Sequence, residues 1–314
     1  MSVESVPFIG CHPAILEILE VVAKIADTAT PVLISGESGT GKDQLVRVIH
    51  QSSSRADKPL VRLDCGALAP ELIENELFGH EPGAFTGALD AKPGKLELGH
   101  GGTIHLDNIT TMTLTMQARL TRVIQERAFE RLGGTRPIQL DARFIATTPL
   151  NPKDAVRKRL LRKDLYFRLN VVSLHLPPLR RRASDIPLLV KHFLDQYNKS
   201  NPRRVLRMDA DALRALESYP WPGNVRQLEN VVERAAILCE DGYIRAADLH
   251  GKLLEHESDV IEMAGHDDLT LEEVERIYIE RILQKTRGNK SRAAEILGIN
   301  RKTLLEKRKK YGLP

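Results

Sequence analysis

The chain has 314 residues, enough for about two domains at roughly 150 each, and its 42% apolar and 28% charged side chains suit a globular protein with a sizeable core. The net charge of +4 hides an asymmetry: residues 285–314 carry ten basic and two acidic side chains, so a polyanion partner is expected for the tail alone. No apolar run approaches the roughly 18 residues of a bilayer span, MSVESVPF lacks a secretory pattern, and the three scattered cysteines offer neither a disulfide framework nor a CxxC metal site, so a cytoplasmic protein without a membrane partner is expected.

From Phe8 to about Val172, short apolar runs alternate with helix-length stretches: PVLIS (31–35), LVRLD (60–64), TIHLD (103–107) and ARFIAT (142–147). That alternation predicts an α/β unit with a parallel sheet over 1–175. From Pro177 to about Leu254 no strand-like run is seen. The periodicity of 186–197, 210–219 and 224–239 is helical, which predicts a helical subdomain over 176–250. Gly251, Gly265 and the acidic HESD and GHDD clusters mark 251–268 as a linker. The block 269–314 reads as helical again, with Leu271, Val274, Ile277 or Tyr278, Ile282 and Leu283 expected on one apolar stripe.

GESGTGKD, comprising Gly36, Glu37, Ser38, Gly39, Thr40, Gly41, Lys42 and Asp43, lies between a strand and a helix. Glycines at 36, 39 and 41 let backbone N–H groups turn toward phosphate oxygens, Lys42 supplies a point charge, and the helix N-terminus adds its dipole. The general signature has Ser or Thr after the lysine, where this chain has Asp43. Downstream, TIHLD delivers the carboxylate of Asp107 at a strand end, the expected partner of a magnesium ion held with nucleotide phosphates. ATP and Mg²⁺ are therefore the expected cofactors.

ELFGHEPGAFTGA (76–88) is, by itself, a glycine-punctuated loop with Phe85 near its tip. Together with GESGTGKD, LRKDLYFRLNVV, LPPLRRRASDIP and WPGNVRQLENVVERA, in that order, it strongly resembles the bacterial enhancer-binding proteins, the AAA+ activators of sigma-54 RNA polymerase. The resemblance runs from about Phe8 to Pro314 and includes an acidic residue at 43. It implies an AAA+ P-loop NTPase with a helical lid and an all-α C-terminal Fis-type helix-turn-helix. It further implies that Gly83, Ala84, Phe85, Thr86, Gly87 and Ala88 contact sigma-54. Arg162 and Arg168 would act as fingers on a neighbouring subunit's nucleotide, and Arg226 would sense the γ-phosphate from the lid. A ring, hexamer or heptamer, follows from the same resemblance, as do paired DNA-binding domains.

In the tail, Ser291–Leu297 reads as the first helix of the helix-turn-helix, Gly298 as the turn, and Asn300–Lys310 as the recognition helix. Asn300 suits an N-cap; Arg301, Lys302 and Thr303 lie in the first turn, where base edges are met. Lys290, Arg292, Lys307 and Arg308 join them as candidate contacts to upstream DNA, the last two suited to phosphates.

Three positions depart from the family pattern. Asn108 follows Asp107 where the family has the glutamate that positions the attacking water. Pro149 stands at the sensor asparagine, and Asp64 at the asparagine that restrains the glutamate. An amide orients water but cannot take its proton, so two readings stay open. Either Asp64 serves as the water-orienting base and Asn108 restrains it, or the site binds ATP and hydrolyses it slowly, at the typical 10²–10⁴-fold cost of losing a general base. The first gives an ATP-hydrolysing activator of sigma-54 RNA polymerase holoenzyme. The second gives a nucleotide-gated DNA-binding regulator, or a partner that poisons the rings of an active paralogue. A small-molecule kinase would leave the C-terminal half unexplained. No receiver or ligand-sensing segment precedes Phe8, so either a regulatory domain has been removed or control comes from a regulator acting in trans.

Overall fold

The computed structural model describes residues 8–67, 69–201, 207–239, 241–249, 270–286 and 289–311. It divides into two compact units, Met1–Ala246 and Ala247–Pro314. The proposed linker, 251–268, lies outside the described residues.

In the first unit, helix α1 (Pro13–Ile25) starts with proline at its first position, the His12 ring accepting from the Ala14 N–H. Its inward positions Ile15, Ile18 and Val22 follow the helical period. Strand β1 (Val32–Ser35) is buried on both faces, as a central parallel strand must be, and leads through the glycine loop into α2 (Lys42–Gln51). Then follow β2 (Leu60–Asp64), α3 (Pro70–Phe78), the short antiparallel pair β3 (Gly79–His80) and β4 (Lys92–Pro93), and α4 (Lys95–Leu98). The chain continues through β5 (Thr103–Asp107), α5 (Leu114–Glu126), the hairpin β6 (Ala128–Phe129) and β7 (Ile138–Gln139), and β8 (Arg143–Thr148). Helices α6 (Pro152–Arg157) and α7 (Lys163–Leu169) precede β9 (Val172–His175).

Five of these strands form one parallel sheet in the order β2–β5–β8–β1–β9. The fifth, β9, departs from the four strands that the apolar runs predict. VSLH has one fully buried side chain, Leu174, so an edge strand of this kind leaves no apolar run to see. One face of the sheet packs Leu63, Ile104, Leu106 and Ala146 among α5 and α7 residues, and the other packs Ile34, Ile145 and Leu174 against α1 and α2.

The lid follows as α8 (Ile186–Ser200), β10 (Arg207–Met208), α9 (Ala210–Ser218), α10 (Asn224–Leu238) and β11 (Tyr243–Ile244). Strands β10 and β11 pair in parallel, which corrects the expectation of a strand-free segment; two residues are too few to show a period. Trp221, before α10, is fully buried, donates Nε1–H to the Leu216 carbonyl at 2.7 Å and meets Tyr219 edge-on at 5.0 Å. Trp221→Ala is expected to cost about 3–5 kcal/mol of stability. Urea unfolding followed by far-UV circular dichroism checks this; a midpoint unchanged from wild type would contradict it.

The second unit contains helices Leu271–Lys285, Lys290–Ile296 and Arg301–Tyr311. Thr270 and Glu273 form a reciprocal capping box at the start of the first. The core joins Ile279, Ile282 and Leu283 to Ala293, Ala294 and Leu304. Ile277 and Tyr278 are exposed, so the inward stripe is rotated from the expected one; the side chains of Leu271 and Val274 lie outside those described.

Candidate functional site: a phosphate loop under the lid

The loop 36–41 curls because glycine alone tolerates its backbone. Gly36, Gly39 and Gly41 have φ of 154°, 74° and 100°. At 39 the space is also closed: a Cβ would fall 2.3 Å from the Gly223 carbonyl oxygen. Lys42 is buried, and its ammonium donates to the Gly36 carbonyl at 2.7 Å and the Glu37 carbonyl at 3.0 Å. Burial pulls its pKa down, against the pull of Asp107 and Asp43. A lysine folded over its own loop in this way is poised to exchange carbonyls for phosphate oxygens.

The lid is stitched to this loop by residues that sequence reasoning assigned no role. Arg180 makes a two-pronged contact with the Glu37 carboxylate, at 2.7 and 2.5 Å, which holds that carboxyl below its usual range. Buried Asn224 donates to the Ser38 carbonyl and to Glu37 while accepting from the Leu179 N–H. Arg182, also buried, donates to the Thr40 carbonyl at 2.6 Å. At the start of α10 the Val225 and Arg226 N–H groups point to the Gly39 carbonyl, at 2.9 and 3.3 Å. Arg226 is thereby brought to the loop, close enough for its charge to act on Lys42. The motifs LPPLRRRASDIP and WPGN were visible, but nothing local says that their side chains meet residues some 140 or more positions away.

Beside the loop, Asp43, Arg62, Asp64, His105 and Asp107 sit on α2 and at the carboxyl ends of β2 and β5. The register sets Arg62 against His105 and Asp64 against Asp107. Both Asp107 oxygens are engaged: Thr147 Oγ1 donates to one at 2.5 Å, and Arg62 Nη2 to the other at 2.5 Å, while Arg62 also lies 3.2 Å from Asp43. Burial works against the Asp107 charge, yet these two donors hold its pKa below the usual carboxylate range. Arg62, Thr147 and His105 went unnoticed in the sequence as strand residues. Asp64 accepts the Gly66 N–H at 2.9 Å, and Asn108 has left-handed backbone (φ 55°) with its N–H donating to Thr147.

The segment 83–88 closes on itself, the Gly83 N–H donating to the Ala88 carbonyl at 2.8 Å and the Ala88 N–H to that of Phe85. Positive φ at Gly83 and Gly87 makes the turns. Phe85 is 45% exposed and rests edge-on against His80. Gly83, Thr86 and Gly87 are exposed as well, Ala84 is half-buried and Ala88 is buried. The base is anchored by hydrogen bonds between 79–81 and Leu132, and by Arg131 bridging Glu81 and Glu97. Arg162 stands at the N-cap position of α7 with its guanidinium held by Asp164, and Arg168 is exposed in the last turn of the same helix.

In the second unit Asn300 Oδ1 accepts the Thr303 N–H at 2.8 Å, the expected N-cap. Gly298 turns with φ 66°. Arg292, Arg301 and Lys302 are exposed, and Lys290, Thr303 and Arg308 partly so. Lys307 pairs with Glu275 and Lys310 with Glu272, each at 2.6 Å, so part of the tail's charge is matched within the unit. Such exposed pairs are screened by solvent and hold their partners weakly. Among the described residues no helix is long and apolar enough to cross a membrane.

Comparison with known proteins adds three family matches in series: the Sigma-54 interaction domain over residues 8–175, the AAA+ ATPase lid domain over 180–264, and the bacterial regulatory protein Fis family over 270–311. The chain is 42% identical to the regulatory protein AtoC of Escherichia coli K12 over 307 residues, covering 96% of this chain and 67% of the relative. It is 45% identical to the transcriptional regulatory protein ZraR of the same organism over 300 residues, covering 95% and 67%. Among solved structures, NtrX of Brucella abortus in complex with ATP superposes with a TM-score of 0.72 at 33% identity, over 98% of this chain and 70% of that one.

Proposed function

Because the chain belongs to the family of sigma-54-dependent AAA+ transcriptional regulators with a Fis-type helix-turn-helix, we propose that it is an ATP-driven activator of sigma-54 RNA polymerase holoenzyme. In this reading it binds upstream DNA, assembles with ATP as a hexameric or heptameric ring, and remodels the holoenzyme through hydrolysis. The observation that carries it is an exposed, self-closed 83–88 loop on the same unit as a phosphate loop whose three glycines hold positive φ.

Lys42 and the loop N–H groups hold the outer phosphates; Asp43 and Asp107 are the carboxylates for Mg²⁺, which when bound neutralises charge between the phosphates. Arg226 follows the γ-phosphate from the lid. Arg162 and Arg168 reach the neighbour's nucleotide. Asp64, beside Asp107 at the sheet edge, orients the attacking water, and Asn108 restrains it. Arg301, Lys302 and Thr303 read bases while Lys290, Arg292, Lys307 and Arg308 meet phosphates. Exposed Ile277 and Tyr278 offer an apolar strip for pairing two DNA-binding units.

A second reading, nucleotide-gated binding with slow hydrolysis, draws support from Asn108 and Pro149 and from the engagement of both Asp107 oxygens by Thr147 and Arg62.

Thr86→Ala separates loop-driven activation from mere DNA occupancy. Transcript yield from a sigma-54 promoter is expected to fall about tenfold, the factor ~1.4 kcal/mol of lost contact produces, with DNA affinity unchanged. Activation equal to wild type would overturn the role of the loop.

A further inference from the structure

We propose that Asp43, His105 and Asp107 form a binding site for a divalent transition-metal ion, of the Co²⁺ or Zn²⁺ kind, which forms without nucleotide. One atom from each residue, two carboxylate oxygens and an imidazole nitrogen, lies within 4.8 Å of the others. His105 Nε2 is 4.0 Å from Asp43 Oδ1, and among the described residues no group hydrogen-bonds it although the residue is only 2% exposed. A buried ring nitrogen with no partner is costly unless something fills the gap.

What the geometry holds there now is a cation of the protein's own. Arg62 reaches across from β2 and touches both carboxylates, at 2.5 and 3.2 Å. Its side chain is 50% exposed, so it can withdraw toward solvent. Ligands to a zinc-like ion sit about 2.0–2.2 Å from the metal, so the three atoms need only draw together modestly as Arg62 leaves.

The donor set decides the class of ion. Magnesium wants oxygen ligands and is usually held by one or two carboxylates plus substrate phosphates, whereas imidazole suits zinc, cobalt and their neighbours. Three protein ligands also leave a coordination position open. That the open position faces a phosphate oxygen rests on the nucleotide reading above; the three-ligand site itself does not.

Cobalt titration of the full chain without nucleotide tests this, read by visible d–d absorption, with a fluorescent ATP analogue and Mg²⁺ as an independent probe of the loop. Wild type is expected to bind one Co²⁺ with a nitrogen-ligated spectrum. His105→Phe should weaken that binding at least about tenfold, since even outer partners of metal ligands carry 10–100-fold, while binding the ATP analogue within a few-fold of wild type. Asp43→Asn, a change at the partly exposed start of α2, should lose cobalt comparably. Arg62→Gln should tighten it, by removing the competing cation. No cobalt spectrum in the wild type, or equal cobalt affinity in His105→Phe or Asp43→Asn, would overturn the proposal. Failure of the wild type to bind the ATP analogue would sink the nucleotide reading and leave the cobalt result standing.

Discussion

Arg168→Ala is expected to lower ATP turnover by about 10³-fold or more, the lower range for an arginine supplied to a neighbour's phosphoryl transfer, with ATP affinity nearly unchanged. Helix α7 carries this side chain to an exposed face in its last turn. Leu165 and Leu169 anchor the helix in the core, which turns Arg168 outward beside Phe167, 63% exposed, and Val171, 60% exposed. Exposed apolar side chains around a cation suit a face that another subunit covers. A charge that acts only as the transition state forms should lower kcat and kcat/KM together. Mixing Arg168→Ala with Lys42→Ala subunits adds the sharper measurement. If the arginine acts in trans, an intact loop from one variant meets an intact arginine from the other and part of the turnover returns. Mixtures as inactive as the separate variants would contradict a trans role.

Asp64→Asn is expected to lower turnover by about 10²–10⁴-fold, the usual worth of a general base. Asp64 is the carboxylate beside Asp107 in the sheet register, and one of its oxygens is fixed by the Gly66 N–H. Asn108 has left-handed backbone, a conformation asparagine adopts more readily than glutamate. Asn108→Glu therefore restores the more usual base at some cost in strain, and in the Asp64→Asn background it should recover only part of the lost rate. Steady-state ATP hydrolysis across the wild type and these variants checks the exchange of roles. Wild-type turnover near zero that rises on Asn108→Glu alone would instead establish the slow-hydrolysis reading.

Much of the fold was legible because its central strands, such as VLIS and TIHLD, are buried on both faces, and because caps such as Asn300 act locally. What was not legible is long-range. Arg180, Arg182 and Asn224 join the phosphate loop only after the lid folds back over it, and no pattern in the chain announces that meeting. Arg62 and His105 were hidden differently. Each sits in a strand that reads correctly, but the face it shares with Asp107 becomes a site only once β2 and β5 pair. The helix Leu271–Lys285 misled because Ile277 and Tyr278 lie on its exposed side while Ile279 turns inward, so two apolar faces compete for one stripe. The 83–88 loop carries no chemistry of its own, and its reading came wholly from resemblance.

In the proposed function, ATP hydrolysis by this chain drives sigma-54 holoenzyme into an open complex. The most direct measurement counts heparin-resistant open complexes at a sigma-54 promoter with an upstream binding site, using purified wild-type protein and either ATP or a non-hydrolysable analogue. Open complexes with ATP and none with the analogue are the result predicted here. Equal numbers with both nucleotides, or none with ATP when the protein is bound to DNA and nucleotide, would contradict it.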